Sequence, residues 1–290
     1  MELIHTVAWM KQVAAEACRN DRLLGLVPTM GALHEGHFSL IRQANEQCSP
    51  VVVSIFVNPK QFGPSEDFQK YPRTLDSDLA ALKNLGVDYV FAPAPEQMYP
   101  PGFRTTVAVD GLSDRLEGGS RPGHFRGVTT VVLKLFEIVQ PRFAFLGRKD
   151  AQQARIIRQM TGDLNLDTQI AVCPIVREPD GLALSSRNRY LSASDRRSAT
   201  ALYRSLDSLR RELLAGDRDV VHLVATMRSI IESEPGLSLD YAEIADADTL
   251  EPAMALSKTC YALLAARVGG TRLIDNALIV PAGDSFDITI

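Results

Sequence analysis

Short apolar runs, each followed by a longer segment of helical period, recur through the first part of this chain and constrain its fold more than any other feature. LLGLV (23–27) is followed by EGHFSLIRQANEQC, where apolar residues return every third or fourth position. VVVSIFV (51–57) is rich in β-branched residues, which suit a buried strand. DSDLAALKNL (76–85) carries Leu79 and Leu82 at helical spacing before a stop at Gly86, and VDYVFAP (87–93) reads as strand again. The alternation continues through VTTVVLKLFEIV as helix, FAFL as strand, DAQQARIIRQMTG as helix and TQIAVCPIV as strand. Parallel strands need crossovers of this length, and such crossovers are right-handed. The expectation for residues 1–177 is therefore an open parallel sheet with helices on both faces, in the α/β class.

The pattern changes after Arg177. SSRNRYLSASDRRSATALYRSLDSLRRELLAG opens as a polar loop and continues as one long amphipathic helix, and VVHLVATMRSIIES is a second helix. LDYAEIAD, TCYALLAARVG and TRLIDNALIV follow as strands close enough in sequence to pair antiparallel. Residues 178–290 are thus expected to form a smaller α+β domain that closes over the active site.

The bulk numbers remove several classes of function. With 46% apolar and 23% charged residues the chain has the balance of a globular protein, and its net charge of −4 argues against a nucleic-acid partner. No apolar run approaches the roughly 20 residues that cross a bilayer, and the acidic, interrupted N-terminus is no signal peptide, so a cytoplasmic protein with no membrane partner is expected. The four cysteines are far apart and form no CxxC pair, as in a reduced protein.

In an open α/β sheet, ligands bind beyond the carboxyl ends of the strands, and PTMGALHEGH (28–37) stands at such an end. Gly31 and Gly36 permit tight backbone geometry, and the helix that follows offers free amides and a positive dipole end to an anion. His37-Phe38 stands where a P-loop needs Lys-Ser/Thr, and no GxGxxG is present. HEGH is half of a zinc signature, yet no third ligand motif follows. Imidazole N–H groups near a helix start suit phosphate oxygens whose charge grows in a transition state.

With FVNPKQFG (56–63), YPRT (71–74), RPGHFRGV (121–128), LGRKDAQQ (146–153) and VREPDGLALSSRN (176–188), the stretch resembles the pantothenate synthetase (pantoate–β-alanine ligase) family of the HxGH nucleotidyltransferase superfamily. The likeness runs along nearly the whole chain in the same order. It implies an ATP-dependent condensation of (R)-pantoate with β-alanine to pantothenate, AMP and diphosphate through a pantoyl-adenylate. It also implies a Mg²⁺ requirement, a homodimer and, for residues 1–177, a Rossmann-like open parallel sheet with helices on both faces.

The resemblance carries roles onto single positions. Met30, Gly31, Ala32, Leu33, His34, Glu35, Gly36 and His37 match an ATP-binding stretch, in which His37 matches the assigned proton donor. Gly147, Arg148, Lys149 and Asp150 match further ATP positions, with Lys149 toward phosphate and Asp150 toward ribose. Val176 matches a residue that meets adenine through its backbone, and Leu184, Ser185, Ser186 and Arg187 match a phosphate-binding loop. His34, His37, Lys149 and Arg187 are the expected catalytic group. Gln61 and Gln153 match the pantoate-binding glutamines, and Gln61 also matches the β-alanine site. Asn58, Arg121 and His124 are given supporting roles. Most Mg²⁺ ligands are expected from the phosphates, with Asp76 and Asp78 as helpers or, more simply, as helix-start caps.

Three positions depart from the family pattern: Leu184 stands for Met, Arg148 for Glu and Ala151 for Tyr. Leu for Met nearly conserves volume. Arg148 reverses a charge beside Lys149, and Ala151 removes a ring near Gln153. Another HxGH nucleotidyltransferase with a phosphate acceptor is the competing enzyme reading; it would need more basic residues than the two glutamines provide. A non-catalytic ATP-binding module and an aminoacyl-tRNA synthetase are weaker, the latter because the chain is short and acidic.

Overall fold

The computed structural model describes residues 1–64, 66–283 and 285–290. They form two compact units, Met1–Arg148 with Gln152–Pro174, and Lys149–Ala151 with Ile175–Ile290.

The first unit contains six strands, β1 (Glu2–Ile4), β2 (Gly25–Thr29), β3 (Val51–Ile55), β4 (Tyr89–Phe91), β5 (Phe143–Gly147) and β6 (Gln169–Cys173). They lie in the order β1-β4-β3-β2-β5-β6, and every neighbouring pair is parallel. The helices along this part of the chain are α1 (Val7–Arg19), α2 (Glu35–Gln47), α3 (Leu75–Asn84), α4 (Pro95–Met98), α5 (Glu117–Ser120), α6 (His124–Val139) and α7 (Ala151–Asp163).

Successive strand residues enter opposite layers, as the period of two requires. Leu26, Val52, Phe91, Ala144 and Leu146 pack with Met10 and Ala14 of α1 and with Val132, Leu135 and Phe136 of α6. Val27, Val53, Val90 and Phe145 pack instead with Ile41 and Ala44 of α2 and Leu82 of α3. Both faces are therefore covered, as expected for parallel strands whose sequences are apolar throughout.

Helix α6 contains a β-branched run that disfavours helix, but its residues are buried on nearly every side and tertiary packing overrides propensity. Thr129 and Thr130 satisfy their hydroxyls by bonding back to the carbonyls of Phe125 and Arg126 at 2.8 and 2.6 Å. The α6 surface sits directly on the 59–61 turn: a Cβ on Gly127 would overlap the Lys60 carbonyl and reach within 2.6 Å of Gln61 Cα.

The second unit has an antiparallel sheet of β7 (Leu237–Asp246), β8 (Cys260–Val268), β9 (Thr271–Ala282) and β10 (Ser285–Thr289), in the order β10-β9-β8-β7. Cys260, Ala262, Leu264, Ala266 and Val268 alternate onto one core with Leu273, Ala277 and Ile279 of β9. Helices α8 (Ala193–Ala199), α9 (Ala201–Leu214) and α10 (Val220–Glu232) belong to this unit. The single long helix expected here is broken at Thr200, whose hydroxyl turns back 2.7 Å onto the Arg197 carbonyl and tightens the turn between α8 and α9. The chain enters the second unit at Ile175, slightly ahead of the expected break, because Arg177 is tied to β9 by two hydrogen bonds of 2.7 and 2.9 Å to Asp275. Cys48, Cys173 and Cys260 are buried and Cys18 is exposed, all as free thiols.

Gly127 and Gly162 provide an internal contrast, since a Cβ on helical Gly162 meets nothing within 4 Å. Gly127→Ala should cost about 1–3 kcal/mol through overpacking. Gly162→Ala should be neutral or stabilising by up to ~1 kcal/mol. Urea unfolding of the two variants checks this, and a larger loss for Gly162→Ala would contradict the packing described.

Candidate active site

The strand order reverses beside β2, which lies between β3 and β5, so the loops leaving β2 and β5 flank the point where α/β sheets bind ligands. The first of these loops carries residues 28–37. Its geometry is set by two internal devices.

The first device is a pair of histidines acting as a reciprocal helix cap. His34 is the N-cap of α2, and its Nδ1 accepts the Gly36 amide at 3.2 Å. The His34 amide in turn donates to Nδ1 of His37 at 3.3 Å, and the ring centroids stand 4.2 Å apart. This is the arrangement usually made by Ser or Thr with Glu, here built from two imidazoles. A ring nitrogen that accepts must carry its lone pair, so the proton of each neutral ring resides on Nε2. Protonating either Nδ1 would set donor against donor and open the cap.

The second device is Asp78 of α3, only 4% exposed. Its two carboxylate oxygens accept the amides of Ala32 and Leu33, each at 2.9 Å, and the Thr74 hydroxyl adds a bond of 3.2 Å. Gly31 and Ala32 both have positive φ, +77° and +51°, so the turn needs such a restraint. The Gly31 amide donates to Thr29 Oγ1 at 3.1 Å. The expectation of free amides along this loop is thereby corrected. Those of residues 31–34 and of Gly36, His37 and Phe38 bond within the protein, because a buried backbone polar group requires a partner. Glu35 faces outward and pairs with Arg42.

Gln61 ends a short helical turn, Pro59–Gln61, whose N-cap is Asn58. Asn58, 1% exposed, donates from Nδ2 to Gln61 Oε1 at 3.0 Å and to the Gly127 carbonyl at 3.1 Å, while its Oδ1 accepts the Tyr99 hydroxyl at 2.7 Å. Gln61 Nε2 lies 3.1 Å from Met30 Sδ, so one candidate substrate residue touches the histidine loop directly. Behind the turn, His124 Nδ1 donates to the Gln61 carbonyl at 2.9 Å and its Nε2 accepts from Arg121 at 3.1 Å. Arg121 makes a two-pronged bond to Glu66 at 2.7 and 2.8 Å. Burial pushes the Glu66 carboxyl up, but the bonds and charge of Arg121 outweigh it and hold the group below its ordinary range.

The neighbouring glutamines of α7 differ in environment. Gln152 is buried and clamps the 112–117 turn, accepting the Glu117 amide at 3.1 Å and donating to the Leu112 and Arg115 carbonyls at 2.8 and 2.9 Å. Gln153 is partly exposed. Gly147 ends β5, and Arg148 is 7% exposed, so the charge reversal at that position lies inside the unit and not on its surface.

Lys149, Asp150, Val176, Leu184, Ser185, Ser186 and Arg187 fall in the second unit. Lys149 Nζ lies 3.6 Å from Asp150 Oδ2, and the Lys149 carbonyl accepts from Asn276 of β9 at 3.0 Å. Val176 and Leu184 face each other across a tight hairpin, with the Leu184 amide donating to the Val176 carbonyl at 3.0 Å. The buried Arg177–Asp275 pair fastens the base of this hairpin, and Arg177 also stacks 5.2 Å from the Tyr203 ring. Ser185 caps a short helical turn by accepting the Arg187 amide at 3.3 Å.

Sequence reasoning missed Asp78 as an anchor, Gln152 as a clamp and the Arg177–Asp275 tether. For Asp78 a signal existed: Leu75, Asp78, Leu79 and Leu82 share one face of α3, and an acid on an apolar face implies a buried, partnered carboxylate. For the other two, the partners are remote in sequence and nothing local marks them.

An open parallel sheet with an HxGH loop at its switch point places the first unit in the Rossmann-like α/β class. The family model of pantoate-beta-alanine ligase matches residues 2–278. The pantothenate synthetase of Koribacter versatilis is 52% identical over 287 residues, covering 98% of each chain. That of Roseiflexus sp. (strain RS-1) is 51% identical over 279 residues, covering 96% of this chain and 99% of the relative. Among solved structures, pantothenate synthetase from Thermus thermophilus superposes with a TM-score of 0.90 at 43% identity, covering 95% and 98% of the two chains. Pantoate-beta-alanine ligase from Francisella tularensis, solved with beta-gamma ATP and beta-alanine, gives 0.77 at 37% identity, covering 95% and 97%. The chain belongs to the pantoate–β-alanine ligase family.

His124 gives the site a pH signature. Burial first, then the charge of Arg121, pushes it down from 6.5 to about 4, against the opposing pull of the Gln61 carbonyl. The unfolded chain therefore binds more protons than the folded one between these values. The stability this group contributes is complete above pH 6.5 and is lost as pH falls toward 4. Relative to His124→Asn, which cannot titrate, the parent should lose about 2 kcal/mol more between pH 7 and 5. Urea unfolding at the two pH values measures the difference, and equal losses would contradict a neutral buried ring.

Proposed function

We propose that this chain catalyses the ATP-dependent condensation of (R)-pantoate with β-alanine to pantothenate, AMP and diphosphate, through a pantoyl-adenylate. Family membership supports the reaction, and the paired histidine cap is the observation that carries the mechanism.

A carboxylate is a poor acyl donor and must be activated. A pantoate carboxylate oxygen attacks the α-phosphorus of ATP in line, the bond to the bridging oxygen breaks, and diphosphate leaves with that electron pair. Negative charge grows on phosphate oxygens during this step. His34 and His37 meet it with Nε2–H groups whose tautomer the cap already fixes, so no reorganisation is needed as the charge develops. Both rings act as neutral hydrogen-bond donors, because an imidazolium would break the cap. The rest of the loop from Met30 to Gly36 forms the wall that positions them, with the amides of residues 31–34 and Gly36 engaged within the protein. In the second step the β-alanine amine, having lost a proton, attacks the anhydride carbonyl; the C–N bond forms and AMP leaves.

Gln61 and Gln153 bind pantoate in this proposal, and Gln61 also meets β-alanine. An amide offers one acceptor and two donors to hydroxyl and carboxylate groups without adding charge. Asn58 supports the role of Gln61 by holding its oxygen at 3.0 Å. Gly147, Arg148, Lys149 and Asp150 serve ATP, with Lys149 on phosphate and Asp150 on ribose. Val176 meets adenine, and Leu184, Ser185, Ser186 and Arg187 form a phosphate-binding segment. Mg²⁺ belongs to the proposal as a companion of the triphosphate, where it would neutralise charge on the phosphate oxygens. Among the described residues no cluster of three ligating side chains includes His34, His37 or Asp78. In this proposal the phosphate oxygens would supply most of the ligands. A homodimer rests on the family resemblance, and a cytoplasmic location on the sequence reading of the N-terminus and the short apolar runs. No helix of the described residues is long and apolar enough to cross a membrane.

With ATP, Mg²⁺ and pantoate but no β-alanine, the protein should exchange labelled diphosphate into ATP. Exchange that ignores pantoate would defeat the ligase reading. His37→Ala should lower the pantoate-dependent rate by roughly 10²–10³, the scale for losing one preorganised donor.

A further inference from the structure

We propose that Asp78 is a positioning residue: its buried carboxylate holds the 31–33 turn and so aims the His34 and His37 rings, and it does not bind Mg²⁺. The inference deepens the ligase reading above and rests on it.

The geometry leaves the carboxylate little other work. Oδ1 accepts the Leu33 amide and Oδ2 accepts the Ala32 amide and the Thr74 hydroxyl. A metal would have to displace these bonds at a group that is 4% exposed. The turn also needs an anchor. Gly31 and Ala32 are consecutive residues of positive φ, and for Ala32 that conformation is unfavourable unless neighbouring bonds hold it. Two bonds from amides to an ionised carboxylate are of the strong, charge-assisted kind. The first turn of α3, where Asp78 sits, favours the negative charge.

The anchor lies close to the rings in the chain. Leu33 is the residue before the N-cap His34, so the bond to its amide sets the backbone from which that cap begins. His37 Nδ1 accepts the amide of His34 itself. A shift of the turn is therefore passed to both rings, through the backbone to one and through a hydrogen bond to the other. Because the Ala32 and Leu33 amides point at Asp78, the proposed contacts of the loop to phosphate fall more heavily on the imidazoles, and their aim matters more.

Asp78→Asn is nearly isosteric. Its oxygen can still accept one amide, but its NH₂ group then faces the other, donor against donor. The pantoate-dependent exchange rate should fall roughly 10- to 100-fold, the scale of a small misplacement of catalytic groups. Three readouts separate positioning from the alternatives. In a double-mutant cycle, Asp78→Asn should cost less in the His37→Ala background than in the parent, because one of the two rings that it aims is then gone. Losses that multiply would overturn the proposal. The Mg²⁺ concentration for half-maximal exchange should be unchanged in Asp78→Asn, and a marked rise would assign the residue to the metal. Independently of turnover, ¹⁵N spectra of the parent should show the unprotonated form at Nδ1 of His34 and His37, and Asp78→Asn should shift both rings. Unshifted spectra would overturn the proposal even if the ligase reading held, whereas a parent without pantoate-dependent exchange would overturn only that reading. Should Asp78→Asn fail to fold, Thr74→Val removes only the hydroxyl bond to Oδ2; it should shift the same two rings more weakly, and no shift would again count against the anchor.

Discussion

A parallel sheet must cover both of its faces, and that requirement organises the first unit. Alternate residues of β2, β3, β4 and β5 feed two separate apolar layers, so helices are needed above and below. Each crossover returns the chain to the same end of the sheet, and every strand then delivers its following loop to one edge. The HxGH loop after β2, the 58–61 turn after β3 and Gly147 at the end of β5 owe their common edge to this topology. Residues far apart in sequence, such as Met30 and Gln61, meet there without any local signal that pairs them.

At that edge the backbone's polar groups are largely spent inside the protein. Asp78 takes two amides, the two histidines take two more, and Thr29 takes another. The resulting loop differs from a phosphate cradle made of bare amides. Its turn is held from below by a carboxylate, and the donors proposed to meet a ligand are ring nitrogens whose tautomer the cap determines. Around Gln61 the same economy recurs. Asn58 fixes the side chain, His124 fixes the carbonyl, and Tyr99 and Arg121 fix those two in turn. Such layered support holds the Gln61 turn to a single geometry, as the recognition role proposed for it needs.

Much of this architecture was legible in the sequence, and the lapses have physical causes. Apolar periodicity located β2 through β6 and helices α2, α3, α6 and α7, because each buries a continuous stripe. It passed over α1, whose buried stripe of Met10, Ala14 and Ala17 is too small to stand out, and over β1, a three-residue edge strand. It ran α8 into α9 because the amphipathic pattern continues through Thr200, while the break depends on one hydroxyl turning back. The motif loops were recognisable by residue type, yet their hydrogen bonding was not. The Asp78 bonds to Ala32 and Leu33 span 46 and 45 residues of sequence, and only the folded sheet brings those ends together.

The imidazole cap has one more consequence. Helix starts normally tolerate exchange among Ser, Thr, Asp and Asn, and drift at such positions is an easy source of adjustment in stability. In the proposed mechanism the atoms that begin α2 belong to the same rings that donate to the ligand, so folding and chemistry would draw on a shared pair of side chains. A replacement that improves the helix start removes a donor, and one that keeps a donor must still reproduce the ring's geometry. Selection for greater heat resistance would therefore have to act elsewhere in the molecule, leaving this turn as an evolutionary fixed point.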